Sequence, residues 1–218
     1  MDSPVVLVIG AGPGVSGSVA RLYAAHGYRV GLLGVDAEVL SEVASSIGAD
    51  PEQVRWAVAD VTDVEAATDA VTDLARALGR VDVLHFNPSA FRAKDPLQLQ
   101  VPELLEDVAL GVGALLTAVQ AARPFMSAGG RVTATGSMAA DKPSHQAASL
   151  GVQKAGLRNL VHSLDATLAP DGIRAVSVTV RGALAREGDF TPDRVAEALF
   201  SAAHQDEATW RTEIPYAG

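Results

Sequence analysis

Short runs of apolar residues alternate along the chain with longer stretches in which apolar positions recur at a helical period. The apolar runs predict seven strands, at residues 5–9, 28–33, 54–59, 81–86, 131–135, 173–180 and 210–216. The periodic stretches predict six helices, at residues 15–26, 37–47, 64–78, 102–126, 145–168 and 192–203. Strands that alternate with helices in this way are typical of a parallel sheet with a helical layer on each face.

This order of elements predicts an α/β protein with a three-layer Rossmann fold. We expect a doubly wound seven-stranded parallel sheet with helices on both faces, in one domain over residues 1–218. Right-handed crossovers in such a sheet change direction between the first and fourth strands, which leaves a crevice at the carboxyl ends of the strands. The functional site is therefore expected at that edge of the sheet.

Composition narrows the classes of function. The 17 basic residues against 26 acidic ones give a net charge of -9, so we expect neither nucleic acid nor a membrane surface as a partner. The chain has no cysteine, which excludes disulfides, a thiolate nucleophile and cysteine-based metal sites. His26, His162 and His204 show no ligand spacing with one another or with carboxylates, which predicts no metal site. With no basic or long apolar leader before the first strand, we expect a cytoplasmic location.

A glycine-rich turn directly follows the first predicted strand. Its glycines Gly10, Gly12 and Gly14 precede Ser16 at the start of the first predicted helix. Free N–H groups and the dipole at a helix start favour an anion, and glycines allow a close backbone approach, so the turn predicts binding of a dinucleotide pyrophosphate. The alternative is a tight strand-to-helix turn that uses glycine for geometry alone.

At this turn the chain resembles the short-chain dehydrogenase/reductase family, with Ser16 where the last glycine of the family's loop is expected. Further landmarks of the resemblance, in chain order, are Asp60-Val61, Asn87-Pro88-Ser89, Thr135-Gly136-Ser137 and Lys154-Ala155-Gly156. The resemblance covers nearly the whole chain, and it implies NAD or NADP as cofactor. The cofactor-binding residues that it implies are Gly10, Gly12, Gly14, Ser16, Asp60, Val61, Asn87 and Lys154.

The catalytic pattern of that family is incomplete in this chain. The family's general acid/base is a tyrosine four residues before the lysine, and Leu150 stands at that position. The family's helix-four asparagine corresponds to Gly111, while the serine is retained as Ser137. The resemblance therefore implies catalytic roles for Ser137 and Lys154, with the proton supplied by water or by His145, whose ordinary pKa lies near neutrality.

Each of these three residues also has a simpler interpretation. Ser137 can cap the end of a strand, Lys154 can be a solvated helix residue, and His145 can be an exposed residue at a helix start. The preference for NAD or NADP is also open. An acidic residue at the end of the second strand would favour NAD and an arginine just after it would favour NADP, but these positions are Gly34 and Val35. Asp36, the next residue, is interpreted as a helix N-cap.

Three hypotheses follow for the activity. The first is a divergent NAD(P)-dependent oxidoreductase that acts on a small carbonyl or alcohol. The second is a non-redox isomerase, dehydratase or cyclase on the same scaffold, which the loss of the tyrosine and the asparagine favours. The third is a catalytically silent nucleotide-binding subunit. Small residues along predicted helices 102–126 and 145–168 also match the family's interface, so we expect a homodimer or homotetramer.

Overall fold

The computed structural model describes residues 3–48 and 53–218 and forms one seven-stranded parallel sheet. The strands are β1 (Val5–Ile9), β2 (Arg29–Gly34), β3 (Val54–Val58), β4 (Val83–Phe86), β5 (Arg131–Ser137), β6 (Arg174–Val180) and β7 (Glu213–Tyr216). Their order in the sheet is β3-β2-β1-β4-β5-β6-β7, and every neighbouring pair is parallel. The predicted doubly wound sheet, with its reversal between β1 and β4, is confirmed.

Seven α-helices lie on the two faces of this sheet within the described residues. They are α1 (Val15–Ala25), α2 (Ala37–Ser46), α3 (Val64–Leu78), α4 (Val101–Val108), α5 (Ala114–Ala122), α6 (Ala148–Leu168) and α7 (Pro192–Ala203). Helices α3, α5 and α6 share one apolar core with the sheet, and α1, α2 and α7 share the other. Alternate residues of β1 enter the two cores, with Leu7 in one and Val8 in the other, and both are fully buried. Burial on both faces explains why this strand is a continuous apolar run.

The predicted helix at residues 102–126 is interrupted in the structure. A π-helical turn (Ala109–Gly113) separates α4 from α5, and a 3₁₀ turn that contains Pro124 follows α5. Proline has no N–H group to donate to the hydrogen bonds of an α-helix, which accounts for the end of α5 just before Pro124. The stretch Val101–Phe125 has the length and composition of a membrane span, but in this fold it packs against α3 and α6.

Two other predicted elements are shorter than expected. Helix α6 begins at Ala148, because residues 141–147 form a loop beside the carboxyl end of β5. Strand β7 begins at Glu213, because a 3₁₀ turn and Trp210 precede it. The guanidinium carbons of Arg131 and Arg174 lie over the Trp210 ring, at 5.2 and 4.7 Å from its centroid, so cation–π contacts hold this segment against the sheet.

No helix forms between β6 and α7 in the described structure. The connection at residues 181–191 is a loop in which the Phe190 ring lies over Gly182, where a Cβ atom would come within 2.5 Å of the ring. The Tyr216 hydroxyl donates a hydrogen bond to the carbonyl of Asp189 at 2.5 Å, which ties the loop to β7. Gly182 and Leu184 of this loop line the crevice at the carboxyl ends of the strands.

Candidate active-site crevice

A crevice of about 420 Å³ lies at the carboxyl ends of the central strands, where the topology places the ligand site. Its polar side chains are Asn87, Ser89, Thr135, Ser137 and Lys154. Its apolar side chains are Val15, Phe91, Leu150, Val180 and Leu184. The structure thus brings Gly14, Asn87, Ser137 and Lys154, four of the residues singled out in the sequence, around one cavity.

The glycine-rich turn has the geometry of a cradle for an anion. Gly10 has a φ of +75°, and a Cβ atom there would lie 2.7 Å from Pro88, so only glycine fits. A Cβ atom at Gly12 or Gly14 would meet no heavy atom within 4 Å, so open space lies above the turn. Among residues 3–48 and 53–218, no side chain caps the N-terminus of α1 at Gly14, which leaves the first N–H groups of the helix free for a ligand.

Ser16 is hydrogen-bonded within the glycine-rich turn. Its hydroxyl accepts a hydrogen bond from the Gly12 N–H at 3.0 Å, and the side chain is buried. A glycine at this place could not make that bond. Ser16 therefore fixes the shape of the glycine-rich turn from within, and the crevice is lined by its neighbours Gly14 and Val15.

Lys154 is a buried ammonium group at the floor of the crevice. It is 6% exposed, and its Nζ donates a hydrogen bond to the carbonyl oxygen of Thr135 at 2.9 Å. Burial lowers the pKa of Lys154 from its usual 10.5 to about 8. An ammonium group has three N–H donors, so two remain for a ligand.

The hydroxyls of β5 are placed to meet a ligand oxygen. Ser137 Oγ accepts a hydrogen bond from the Ala139 N–H at 3.2 Å, and its own proton has no acceptor among the described residues. The hydroxyl of Thr135 is buried and has no hydrogen-bond partner in the described structure. Both the capping interpretation of Ser137 and a ligand-orienting role are compatible with this geometry, because one bond uses the lone pair and the other uses the proton.

Leu150 occupies the wall of the crevice one helical turn before Lys154. The chain has three tyrosines, Tyr23, Tyr28 and Tyr216, all within the described residues, and none of them lines the crevice. The position that the family resemblance assigns to an acid/base tyrosine is therefore an apolar surface in this protein.

His145 lies outside the crevice. It is exposed in the loop before α6 and lines a neighbouring groove of about 580 Å³, together with Pro143 and Val152. The structure does not bring His145 together with Ser137 and Lys154. Its predicted part in proton transfer has no support from this arrangement and stays a prediction.

The residues expected near the adenosine end of a dinucleotide lie at the same edge of the sheet. Asp60 is exposed, and hydrogen bonds from the N–H and hydroxyl of Thr62 hold its pKa below the usual value. Val61 is buried in the core. Asp36 accepts hydrogen bonds from the N–H groups of Glu38 and Val39, so its interpretation as the N-cap of α2 is confirmed.

Sequence reasoning did not single out Gln153, which directly precedes Lys154 and is fully buried. Its side-chain amide pairs with the backbone of Ala90 in the crevice wall. The available signal was helical spacing, since positions 150, 153, 154 and 157 fall on one face of α6. Among the described residues, no group of three or more histidine, aspartate or glutamate side chains could hold a metal ion.

The chain is similar to known proteins over most of its length. The sequence profile of the short chain dehydrogenase family matches residues 4–185. A short-chain dehydrogenase reductase 3b of Arabidopsis thaliana is 29% identical over 186 residues, which cover 84% of this chain and 72% of the relative. A (+)-cis,trans-nepetalactol synthase of Nepeta racemosa is 28% identical over 240 residues, which cover 95% of this chain and 87% of the relative.

A solved structure extends the likeness to the whole fold. The crystal structure of a short chain dehydrogenase from Burkholderia cenocepacia in complex with NADP has a TM-score of 0.89 and 25% identity. The match covers 97% of this chain and 95% of the other. Free N–H groups above an open glycine turn, a buried ammonium with donors to spare and an unpartnered threonine hydroxyl fit a nicotinamide dinucleotide.

Proposed function

Because the chain belongs to the short-chain dehydrogenase family, we propose that it is an NAD(P)-dependent oxidoreductase that acts on an apolar carbonyl compound or alcohol. The observation that carries this proposal is the single crevice in which the α1 N-terminus, Asn87, Ser137 and Lys154 face one another. A dinucleotide bound there supplies or accepts the hydride. The free N–H groups of α1 would hold its pyrophosphate, and Lys154 would hold a ribose hydroxyl with one of the two N–H groups not bound to Thr135, which leaves the other for the substrate oxygen.

Two residues act on the oxygen of the substrate. Ser137 donates its free proton to that oxygen as a hydrogen bond and so orients the carbonyl. In the direction of reduction, the carbonyl carbon accepts the hydride, the oxygen accepts a proton from Lys154, and the neutral amine regains a proton from water. Lys154 is suited to this exchange because burial brings its pKa to about 8, near a neutral working pH.

The substrate we propose is apolar. Phe91, Leu150, Val180 and Leu184 surround the polar floor, and Phe91 and Leu184 are exposed at the mouth although both are large hydrophobic residues. An apolar rim of this kind favours a hydrocarbon body, while a single oxygen reaches Ser137.

A second candidate function is a non-redox reaction, an isomerisation, dehydration or cyclisation, in the same crevice. The observation that favours it is Leu150, because an apolar wall contributes shape and excludes water without moving a proton. One relative carries the name nepetalactol synthase, which is consistent with this alternative. Cofactor binding without any turnover is the third outcome, a silent nucleotide-binding subunit.

The first test is calorimetric titration with NADH and NADPH of the unaltered protein and two variants of the turn, Gly14→Asp and Gly14→Asn. The two variants have side chains of the same size and differ in charge. A carboxylate about 6 Å from a phosphate costs about 3 kcal/mol per phosphate charge at an effective dielectric constant of about 20, so affinity falls more than about 100-fold in Gly14→Asp relative to Gly14→Asn. Absence of binding by the unaltered protein contradicts the oxidoreductase proposal.

The second test is oxidation of the bound reduced cofactor by a panel of apolar aldehydes and ketones. We expect Ser137→Ala and Lys154→Met to lose turnover by about 100-fold or more and His145→Ala to retain it. Loss in His145→Ala with retention in Lys154→Met would assign the proton to the histidine instead. Binding of cofactor with no turnover on the panel moves the assignment to the non-redox or silent alternatives.

We also propose that the protein is a homodimer or homotetramer. The exposed side chains of Val101, Leu105, Leu116 and Val152 lie on α4, α5 and α6, where water would otherwise cover apolar surface. The cytoplasmic location expected from the sequence remains a prediction.

A further inference from the structure

We propose that Gln153 is a positioning residue that fixes the crevice wall formed by residues 87–91. Its side chain is fully buried on α6, and its amide faces the backbone of one residue, Ala90. The Ala90 N–H donates to Gln153 Oε1 at 3.1 Å, and Gln153 Nε2 donates to the Ala90 carbonyl at 3.2 Å. One side chain therefore satisfies both backbone groups of Ala90, as a neighbouring strand would do.

The space for this amide is created by Gly111. A Cβ atom at position 111 would lie 2.6 Å from Gln153 Oε1 and 3.0 Å from Gln153 Cβ. Gly111 stands in the π-helical turn between α4 and α5, and glycine in a helix costs about 1 kcal/mol relative to alanine. The close approach of Gln153 explains why glycine is kept there despite that cost.

Ala90, the residue that Gln153 anchors, belongs to a wall whose side chains line the crevice. Ala90 lies between Ser89 and Phe91, which both line the crevice. At one end of the wall, the Asn87 N–H donates to the Ile9 carbonyl at 3.0 Å, which ties it to β1. Gln153 supplies the attachment in the middle of the wall and ties it to the helix that carries Lys154. Without this attachment, the wall and the lysine lose their fixed relation.

The decisive variant is Gln153→Met, which keeps a long side chain and removes the amide. The first readout is hydrogen exchange of the Ala90 amide, which needs no cofactor. One hydrogen bond corresponds to a factor of about ten, so we expect Ala90 to exchange about tenfold faster while the amides of β4 are unchanged. The second readout is the dissociation constant of NADH measured by fluorescence, which we expect to rise about tenfold, because Asn87 and Lys154 are no longer held together. This second readout rests on the proposed function.

A matched variant restores the amide from the other side of the contact. In Gly111→Asn/Gln153→Ala, the asparagine amide enters the space that Gln153 leaves, and we expect both readouts to return toward the values of the unaltered protein. Values for Gln153→Met within about twofold of the unaltered protein overturn the proposal. Should Gln153→Met fail to fold, Gly111→Asn/Gln153→Ala tests the proposal. A folded variant with a protected Ala90 amide supports the positioning role of Gln153, and loss of that protection overturns it.

A thermodynamic cycle tests the contact itself. Gly111→Ala lowers the melting temperature when Gln153 is present, because the new methyl group collides with it. In the Gln153→Ala background the same change raises the melting temperature, since alanine is the better helix former. An equal effect in both backgrounds refutes the contact. Failure of the unaltered protein to bind NADH removes the proposed function alone, because hydrogen exchange and the cycle still report on Gln153.

Discussion

The buried imidazole of His85 predicts that the protein loses stability in mild acid. His85 lies in β4, at the centre of the sheet, and is fully buried. Its Nδ1 is hydrogen-bonded to Thr133 Oγ1 at 2.9 Å, and its Nε2 has no partner in the described structure. Burial lowers the pKa of His85 from its usual 6.5 to about 3, because a charged ring would have no water around it.

The sign and the size of the effect follow from proton binding in the two states. Below about pH 6.5 the unfolded chain binds a proton at His85, whereas the folded protein does so only near pH 3. The free energy of unfolding therefore falls as the pH drops through this window, at about 1.36 kcal/mol per pH unit. Over the whole window the loss reaches about 5 kcal/mol. Between pH 7.5 and pH 5 the expected loss from this residue is about 2 kcal/mol.

The measurement is urea unfolding at a series of pH values from 7.5 to 5, on the unaltered protein, Thr133→Val and His85→Leu/Thr133→Val. Thr133→Val removes the hydrogen bond but keeps the imidazole, so it retains the pH dependence. His85→Leu/Thr133→Val removes the titrating group as well, so its free energy of unfolding falls by about 2 kcal/mol less across the series. The four other histidines are present in all three proteins, so their contributions cancel. Equal pH dependence of Thr133→Val and the double variant would refute the reasoning.

Three further predictions concern the crevice, its outer loop and the assembly. The affinity for NADH falls above about pH 8, where Lys154 loses its charge, and fluorescence titration of Lys154→Met shows no such fall. In denaturant titrations, Arg92→Ala lowers the free energy of unfolding more than Arg76→Ala does. The buried Asp107 loses two hydrogen bonds of 3.0 and 3.1 Å in the first variant, whereas the pair of Arg76 with Asp73 is exposed. Light scattering coupled to size exclusion gives twice or four times the chain mass, and a strict monomer at micromolar concentration contradicts the proposed assembly.

Patterns of local period were sufficient for much of the fold. A short, β-branched apolar run such as residues 5–9 is typical of a strand covered on both faces, and helical stretches between such runs favour parallel neighbours. The carboxyl edge of the sheet, and with it the neighbourhood of Gly14, Asn87, Ser137 and Lys154, was therefore predictable. The ends of elements were less so, because the π-helical turn and the start of α6 depend on neighbours distant in the chain.

What the sequence by itself determined was the alternation of strands and helices, the reversal of direction between β1 and β4, and the edge of the sheet at which Gly14, Asn87, Ser137 and Lys154 lie. Only the tertiary structure decided how those groups are held and which of them meet. Gln153 finds its partner 63 positions away, His85 finds Thr133 48 positions away, and His145 falls on a groove outside the crevice. The physical reason is that periodicity encodes which face of an element is buried, whereas the pairing of one buried polar group with another depends on how separate elements pack.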